Sequence, residues 1–138
     1  VIDLDTVMPG SVLYDFGDMV RTATMTAPED EPDLSKVSMD RGLFGATVEG
    51  YLSSTGHWLN KAEKAGLVLS GRVMAFESGI RFLTDFLNGD KYFKIEYPDH
   101  NLIRSRTQFA LLRSMETESD YMEEVVRNVL ISCQPTEQ

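Results

Sequence analysis

Residues 69–89 read LSGRVMAFESGIRFLTDFLNG, and the fold turns on them. Leu69, Val73, Phe76, Ile80, Leu83 and Leu87 recur at alternating steps of four and three. That spacing marks one side of an α-helix, and Asn88-Gly89 is a stop signal. It predicts a long helix with this apolar stripe turned to the core. Arg81 lies on another face, four residues from Glu77 and from Asp85. Such a row is an i,i+4 charge ladder worth roughly 0.2–0.5 kcal/mol per pair.

Downstream, GDKYFKIEYPDH reads as a short extended piece. A further helix is predicted from about Asn101 to Met115. A last one runs from about Ser119 to Ile131, with Tyr121, Met122, Val125, Val126, Val129 and Leu130 inward. The end, SCQPTEQ, is expected to fray.

Upstream, helical spacing resumes at Asp40, with Leu43, Phe44, Thr47, Val48, Tyr51 and Leu52 on one side, and SSTGH ends it. The acidic, proline-bearing APEDEPDLSK at 27–36 is a solvated loop and the candidate internal break. At the front, Val1–Leu4 reads as a short buried strand, Thr6–Ser11 as a Pro-Gly turn, and Tyr14 onward as a helix entrance. Asp15 is the predicted N-cap, with Asp18 in the first turn. The expectation is one mainly α unit over 1–138, with a small β element at its N-terminal edge.

A net charge of −9 and a pI near 4.6 exclude partners that attract lysine and arginine stripes, namely nucleic acid and anionic membrane surfaces. The single cysteine, Cys133, permits neither an internal disulfide nor a cysteine zinc cluster. No apolar run approaches the roughly 18 residues of a membrane span, and a cytoplasmic setting is expected.

The candidate chemistry begins in VIDLDTVMPGSVLYDFGD. Asp3, at the end of a short strand and before a turn, places a carboxylate at a strand edge beside a cleft. A hard cation such as Mg²⁺ is held there by one or two carboxylates plus substrate phosphates. A turn or capping carboxylate is the structural alternative.

Four motifs in order sharpen this reading: VIDLDTVMPG, YDFGD, RFLTDFLNGDKYF and YPDHNLIRSRTQ. Together they resemble the aminoglycoside phosphotransferase-like kinases, in particular the sugar 1-kinases of N-acetylhexosamines, over essentially the whole chain. The resemblance implies a kinase-like fold, with ATP as co-substrate and Mg²⁺ as cofactor. It makes Asp3 the metal ligand, against the protein-kinase reading of DFG in which Asp15 would hold the ion. Asp15 then braces the catalytic loop, and Asp5 is a metal-adjacent group or a solvent-facing turn carboxylate. The positions matching the sugar-pocket Arg and Tyr are Arg81 and Tyr92. Arg offers a planar fork of donors to hydroxyls or an N-acetyl carbonyl.

Such a kinase also needs a nucleotide-binding lobe and a His/Asn-x-Asp-x-x-x-x-Asn loop, and neither occurs here; His57 and His100 stand in no such motif. The chain is therefore expected to be the C-terminal helical part of a kinase, without catalytic residues and inactive alone. A homodimer through an apolar face left uncovered is a further expectation. Arg104, Arg106 and Gln108 are expected to tie their helix to the acidic loops, with a phosphate-facing role as the alternative. Trp58 is expected in core or hinge packing, with stacking on a sugar as the alternative, and the Met and Phe residues in the core. A sulfatase reading fails, because CQPTE puts Glu137 where a Cys-x-Pro-x-Arg pattern needs arginine. Two alternatives remain open: a stand-alone helical binding domain, and a kinase for choline, an aminoglycoside or homoserine.

Overall fold

The computed structural model describes residues 8–132. Within them the chain is mainly α: α1 (Val12–Ala23), α2 (Arg41–Thr55), α3 (Lys61–Leu87), α4 (His100–Thr117) and α5 (Ser119–Ser132). The strand expected at Val1–Leu4 lies outside the described residues. Among the described residues, β pairing is confined to one antiparallel bridge, Met25 with Met39. None of the described helices is long and apolar enough to cross a membrane.

The long helix forms as its sequence predicts, and its ends explain its bounds. Asn60 Oδ1 accepts from the amides of Ala62 and Glu63, and Glu63 Oε2 accepts from the Asn60 amide at 2.8 Å. This capping box satisfies donors that the first turn leaves open. At the other end Gly89 takes φ 84°, a left-handed conformation open to glycine without Cβ strain. The axis of the fold is α3, which packs most extensively against α4 and α1.

The direction in which α3 faces is opposite to the expectation. Leu69, Val73, Phe76, Ile80 and Leu87 are between 41 and 73% exposed. The buried face carries Leu67, Val68, Ser70, Gly71, Ala75, Gly79, Phe82 and Asp85. Periodicity establishes which residues share a side, not which side turns inward. Here close approach decides. A Cβ built on Gly17 of α1 would lie 2.5 Å from the Ser70 carbonyl oxygen, and one on Gly71 would lie 2.9 Å from Val20 Cγ1. The neighbouring helices come so near that only small residues fit between them.

The rest of the core is conventional. Phe16 and Val20 of α1, Phe44, Val48 and Leu52 of α2, Leu111 and Met115 of α4, and Met122 and Val126 of α5 form one cluster with Leu67, Val68 and Ala75 of α3. Within DFGD, Phe16 and Gly17 are buried and Asp15 is exposed. The N-cap of α1 is Ser11, not Asp15, its Oγ accepting from the Leu13 amide. Asp15 stands inside the first turn, where the dipole still favours it. Asp18 falls one turn later and pairs with Arg21 at 2.8 Å. Trp58 is half exposed in the turn between α2 and α3, at a hinge position and not in the core, and Leu59 takes the buried place beside it. Met8 and Met19 are likewise exposed, so the methionines are not uniformly core.

The acidic loop is less solvated than its composition suggests. Glu31 O accepts from Thr107 Oγ1 at 3.1 Å, and Asp30 Oδ2 accepts from Tyr97 Oη at 2.9 Å. Glu29 faces Arg21 at 3.1 Å and Arg104 at 3.6 Å. These contacts fasten the loop across α4, so it is a strap and not a break.

Candidate ligand pocket at the end of α3

The pocket is built by one carboxylate. Asp85 lies in the last turn of α3, where the negative end of the helix dipole opposes an acid. The segment that follows answers it with donors. Asp85 Oδ1 accepts from the amides of Lys91 at 3.0 Å and Tyr92 at 2.8 Å, and Oδ2 accepts from the amide of Phe93 at 2.9 Å and from Asn101 Nδ2 at 3.0 Å. Burial opposes the charge, yet these bonds hold the carboxyl below its usual range. Asp85 is thus no member of a surface charge ladder; the loose i,i+4 contact of Arg81 is with Glu77 alone, at 3.7 Å.

The clamp shapes the following residues. Asp90 adopts φ 54°, a left-handed conformation that aspartate tolerates better than most side chains. Its Oδ1 accepts from Asn101 Nδ2 at 2.8 Å. Residues 89–99 consequently form turns around Asp85 with no strand, where an extended piece was expected.

Held this way, the loop brings Tyr92 and Phe93 back over the helix. The Arg81 guanidinium stands 5.9 Å from the Tyr92 ring centre and 5.5 Å from that of Phe93. Tyr92 meets Phe93 edge-on at 4.8 Å, and Phe93 packs on Phe82 at 4.7 Å. The Arg104 guanidinium lies 5.3 Å from the Phe82 ring centre. Arg104 therefore supports the stack from behind besides facing Glu29, while Gln108 Oε1 accepts from Arg21 at 3.5 Å. Arg106 is exposed.

A cavity of about 430 Å³ opens here, lined by Ile80, Arg81, Thr84, Asp85, Asn88, Tyr92 and Phe93. That volume lies in the usual range for small-molecule sites, about 300–1,000 Å³. One wall is a helical row of polar groups, the other is aromatic. Such a lining suits a small ring with hydroxyls on its edge and an apolar face.

Of the residues marked out from the sequence, Arg81 and Tyr92 meet at this cavity. Asp15 is exposed on α1 and does not line it. Asp3 and Asp5 lie outside the described residues. Among the described residues, no group of three or more His, Cys, Asp or Glu converges to hold a metal ion. Sequence reasoning missed Asp85, Thr84, Asn88 and Phe93. The available signal was an acid in the last turn of a helix directly before Asn-Gly, a position that calls for donors from beyond the helix.

A second polar cluster fixes the start of α4. His100 is buried, accepts from the Glu96 amide at Nδ1 (3.1 Å) and faces Asp30 Oδ2 through Nε2 at 3.5 Å. Its ring stacks on Tyr97 at 4.3 Å. Burial and the hydrogen bond to Asp30 raise the Tyr97 phenol above its ordinary pKa. The cluster anchors the acidic strap to α4. No family model matches the chain.

Proposed function

We propose that this chain is the substrate-binding helical part of an ATP-dependent small-molecule kinase of the aminoglycoside phosphotransferase type. In this reading its parent phosphorylates the anomeric hydroxyl of an N-acetylhexosamine. The observation that carries the reading is the meeting of Arg81 and Tyr92 at one cavity. These are the two residues that the resemblance assigns to the sugar. The guanidinium donates to hydroxyl or N-acetyl oxygens, and the aromatic pair receives the apolar ring face. Asp85 keeps the loop bearing Tyr92 in place, so the pocket is formed before ligand arrives and ordering costs less on binding.

In the same reading Asp3 is the Mg²⁺ ligand, Asp5 stands beside it, and Asp15 braces the parent's catalytic loop. Magnesium, when bound, neutralises charge on the transferring phosphoryl group. The chain's own residues bind and orient the acceptor.

The test is an NMR titration of this 138-residue chain. N-acetylglucosamine or N-acetylgalactosamine is expected to move the Arg81 and Tyr92 amide signals, while choline, an aminoglycoside and homoserine leave them still. Silence with both sugars rejects the sugar assignment. With ATP and Mg²⁺ the chain alone is expected to form no sugar phosphate, and the full-length parent to form it.

A homodimer belongs to the same proposal. The outward stripe of α3 alternates in steps of four and three, the seam spacing of a two-stranded coiled coil, which a second copy of the same helix matches. Light scattering that shows a monomer across a wide concentration range rejects it.

A further inference from the structure

Helical threonines in this protein share a habit. Thr22, Thr47, Thr55, Thr107 and Thr117 each donate the side-chain hydroxyl to the carbonyl four residues earlier, at 2.7–3.0 Å. Thr84, on α3, makes no such bond to Ile80, and its hydroxyl has no other partner among the described residues. It is exposed and lines the cavity between Arg81, one turn earlier, and Asn88, one turn later. The threonine whose hydroxyl is uncommitted is the one at the pocket.

Chemistry gives that hydroxyl a task. A sugar hydroxyl both accepts and donates, whereas a guanidinium only donates. A substrate hydroxyl whose oxygen is held by Arg81 still has its own proton to place. The Asp85 oxygens already take the loop amides and Asn101. Thr84 Oγ1 is an acceptor on the same helical face as Arg81.

We infer that Thr84 is a specificity-determining contact: its Oγ1 accepts the proton of the substrate hydroxyl whose oxygen Arg81 holds. This rests on the sugar reading above. It sharpens it by requiring a hydroxyl at that position, since a methoxy or deoxy analogue leaves Thr84 without a proton to accept.

The experiment titrates N-acetylglucosamine and N-acetylgalactosamine into the wild-type chain and into Thr84→Val, Thr84→Ser and Arg81→Ala, following amide shifts. Valine keeps the branched shape and removes the hydroxyl; serine keeps the hydroxyl. Thr84→Val is expected to weaken binding about three- to tenfold, the range of one neutral hydrogen bond, and Thr84→Ser to stay within about twofold. Both variants are expected to melt with the wild type, because the position is exposed. If Thr84→Val binds like the wild type while Arg81→Ala weakens, the Thr84 inference is overturned and the sugar reading stands. If neither sugar shifts the wild-type pocket, both fall together.

Discussion

Along its inward face α3 carries Ser70, Gly71, Ala75 and Gly79, whereas its outward face carries Leu69, Val73, Phe76 and Ile80. Over this stretch, from 69 to 80, the smaller side chains face the core and the larger ones are about half exposed. Hydrophobic burial scales with apolar area, so area alone would turn the helix over. It does not turn because at Gly71 and Gly79 the side chains of Val20 on α1 and Phe109 on α4 come too close to α3 for a larger residue to fit. Packing at interior density then selects glycine and alanine. The outward face is left with the surface that elsewhere marks an interaction site.

The strongest way to break this contrast is to add one methyl group on the tight side. Gly17→Ala would set its Cβ 2.5 Å from a backbone oxygen and 2.7 Å from Met74 Cγ. Backbone cannot step aside as a side chain can. The variant is expected to lose about 1–3 kcal/mol in urea unfolding, although alanine is the better helix former by about 1 kcal/mol. Gly45 and Gly50 of α2, where an added Cβ meets nothing within 4 Å, provide the opposite sign. Gly45→Ala and Gly50→Ala are each expected to stabilise by roughly 0.5–1 kcal/mol. If all three substitutions behave alike, close helix contact is not what selects the inward face.

The same contrast separates what neighbours along the chain determine from what they do not. The helices of α2, α3 and α5 follow from spacing and stop signals, since those depend on neighbours along the chain. The orientation of α3 depends on how near another helix passes, which no local pattern encodes. Glycine at 71 and 79 reads locally as a cost to the helix; only the presence of Val20 and Phe109 against them makes it a requirement. The pocket divides in the same way. Arg81 and Tyr92 were reachable by resemblance, whereas Asp85 reads as a surface charge until the loop folds back onto it.

Asp85 supplies the next largest effect, and a pH signature. Its folded-state pKa lies below the ordinary 3.8. The stabilisation it gives is therefore complete above about pH 3.8 and is lost as pH falls through the lower folded value. Amide signals of Lys91, Tyr92 and Phe93 are expected to shift together in that acid window. Asp85→Asn abolishes the transition, because an amide NH₂ then faces donors where the carboxylate accepted. It is also expected to release the Tyr92 loop to faster hydrogen exchange at neutral pH. Unchanged protection there would mean that the turn sequence alone holds the loop.

On the outward face a drastic substitution should do little to the monomer. Phe76→Asp exchanges a half-exposed aromatic for a charge, and its expected effect on unfolding free energy stays within about 0.5 kcal/mol, as for an ordinary surface change. Its effect on association is expected to be large, turning any concentration-dependent dimer into monomer by light scattering. A loss of stability comparable to that of Gly17→Ala would show that the stripe contributes to the fold itself.

The smallest effect concerns the ion pair beside the pocket. Arg81 and Glu77 approach to 3.7 Å, with each side chain about half exposed, so water and salt screen the attraction. Glu77→Gln is expected to change stability by only about 0.2–0.5 kcal/mol, and less in high salt. It nevertheless separates two readings of Arg81. If the pair holds the guanidinium in place over Tyr92, its loss weakens sugar binding along with the small stability change. If Arg81 is positioned by the Tyr92 and Phe93 rings, at 5.9 and 5.5 Å, binding is unchanged or rises slightly, because the guanidinium no longer divides its donors between ligand and carboxylate. The ring contacts do not depend on Glu77, and they sit on the loop that Asp85 fixes, so the second outcome is the one expected.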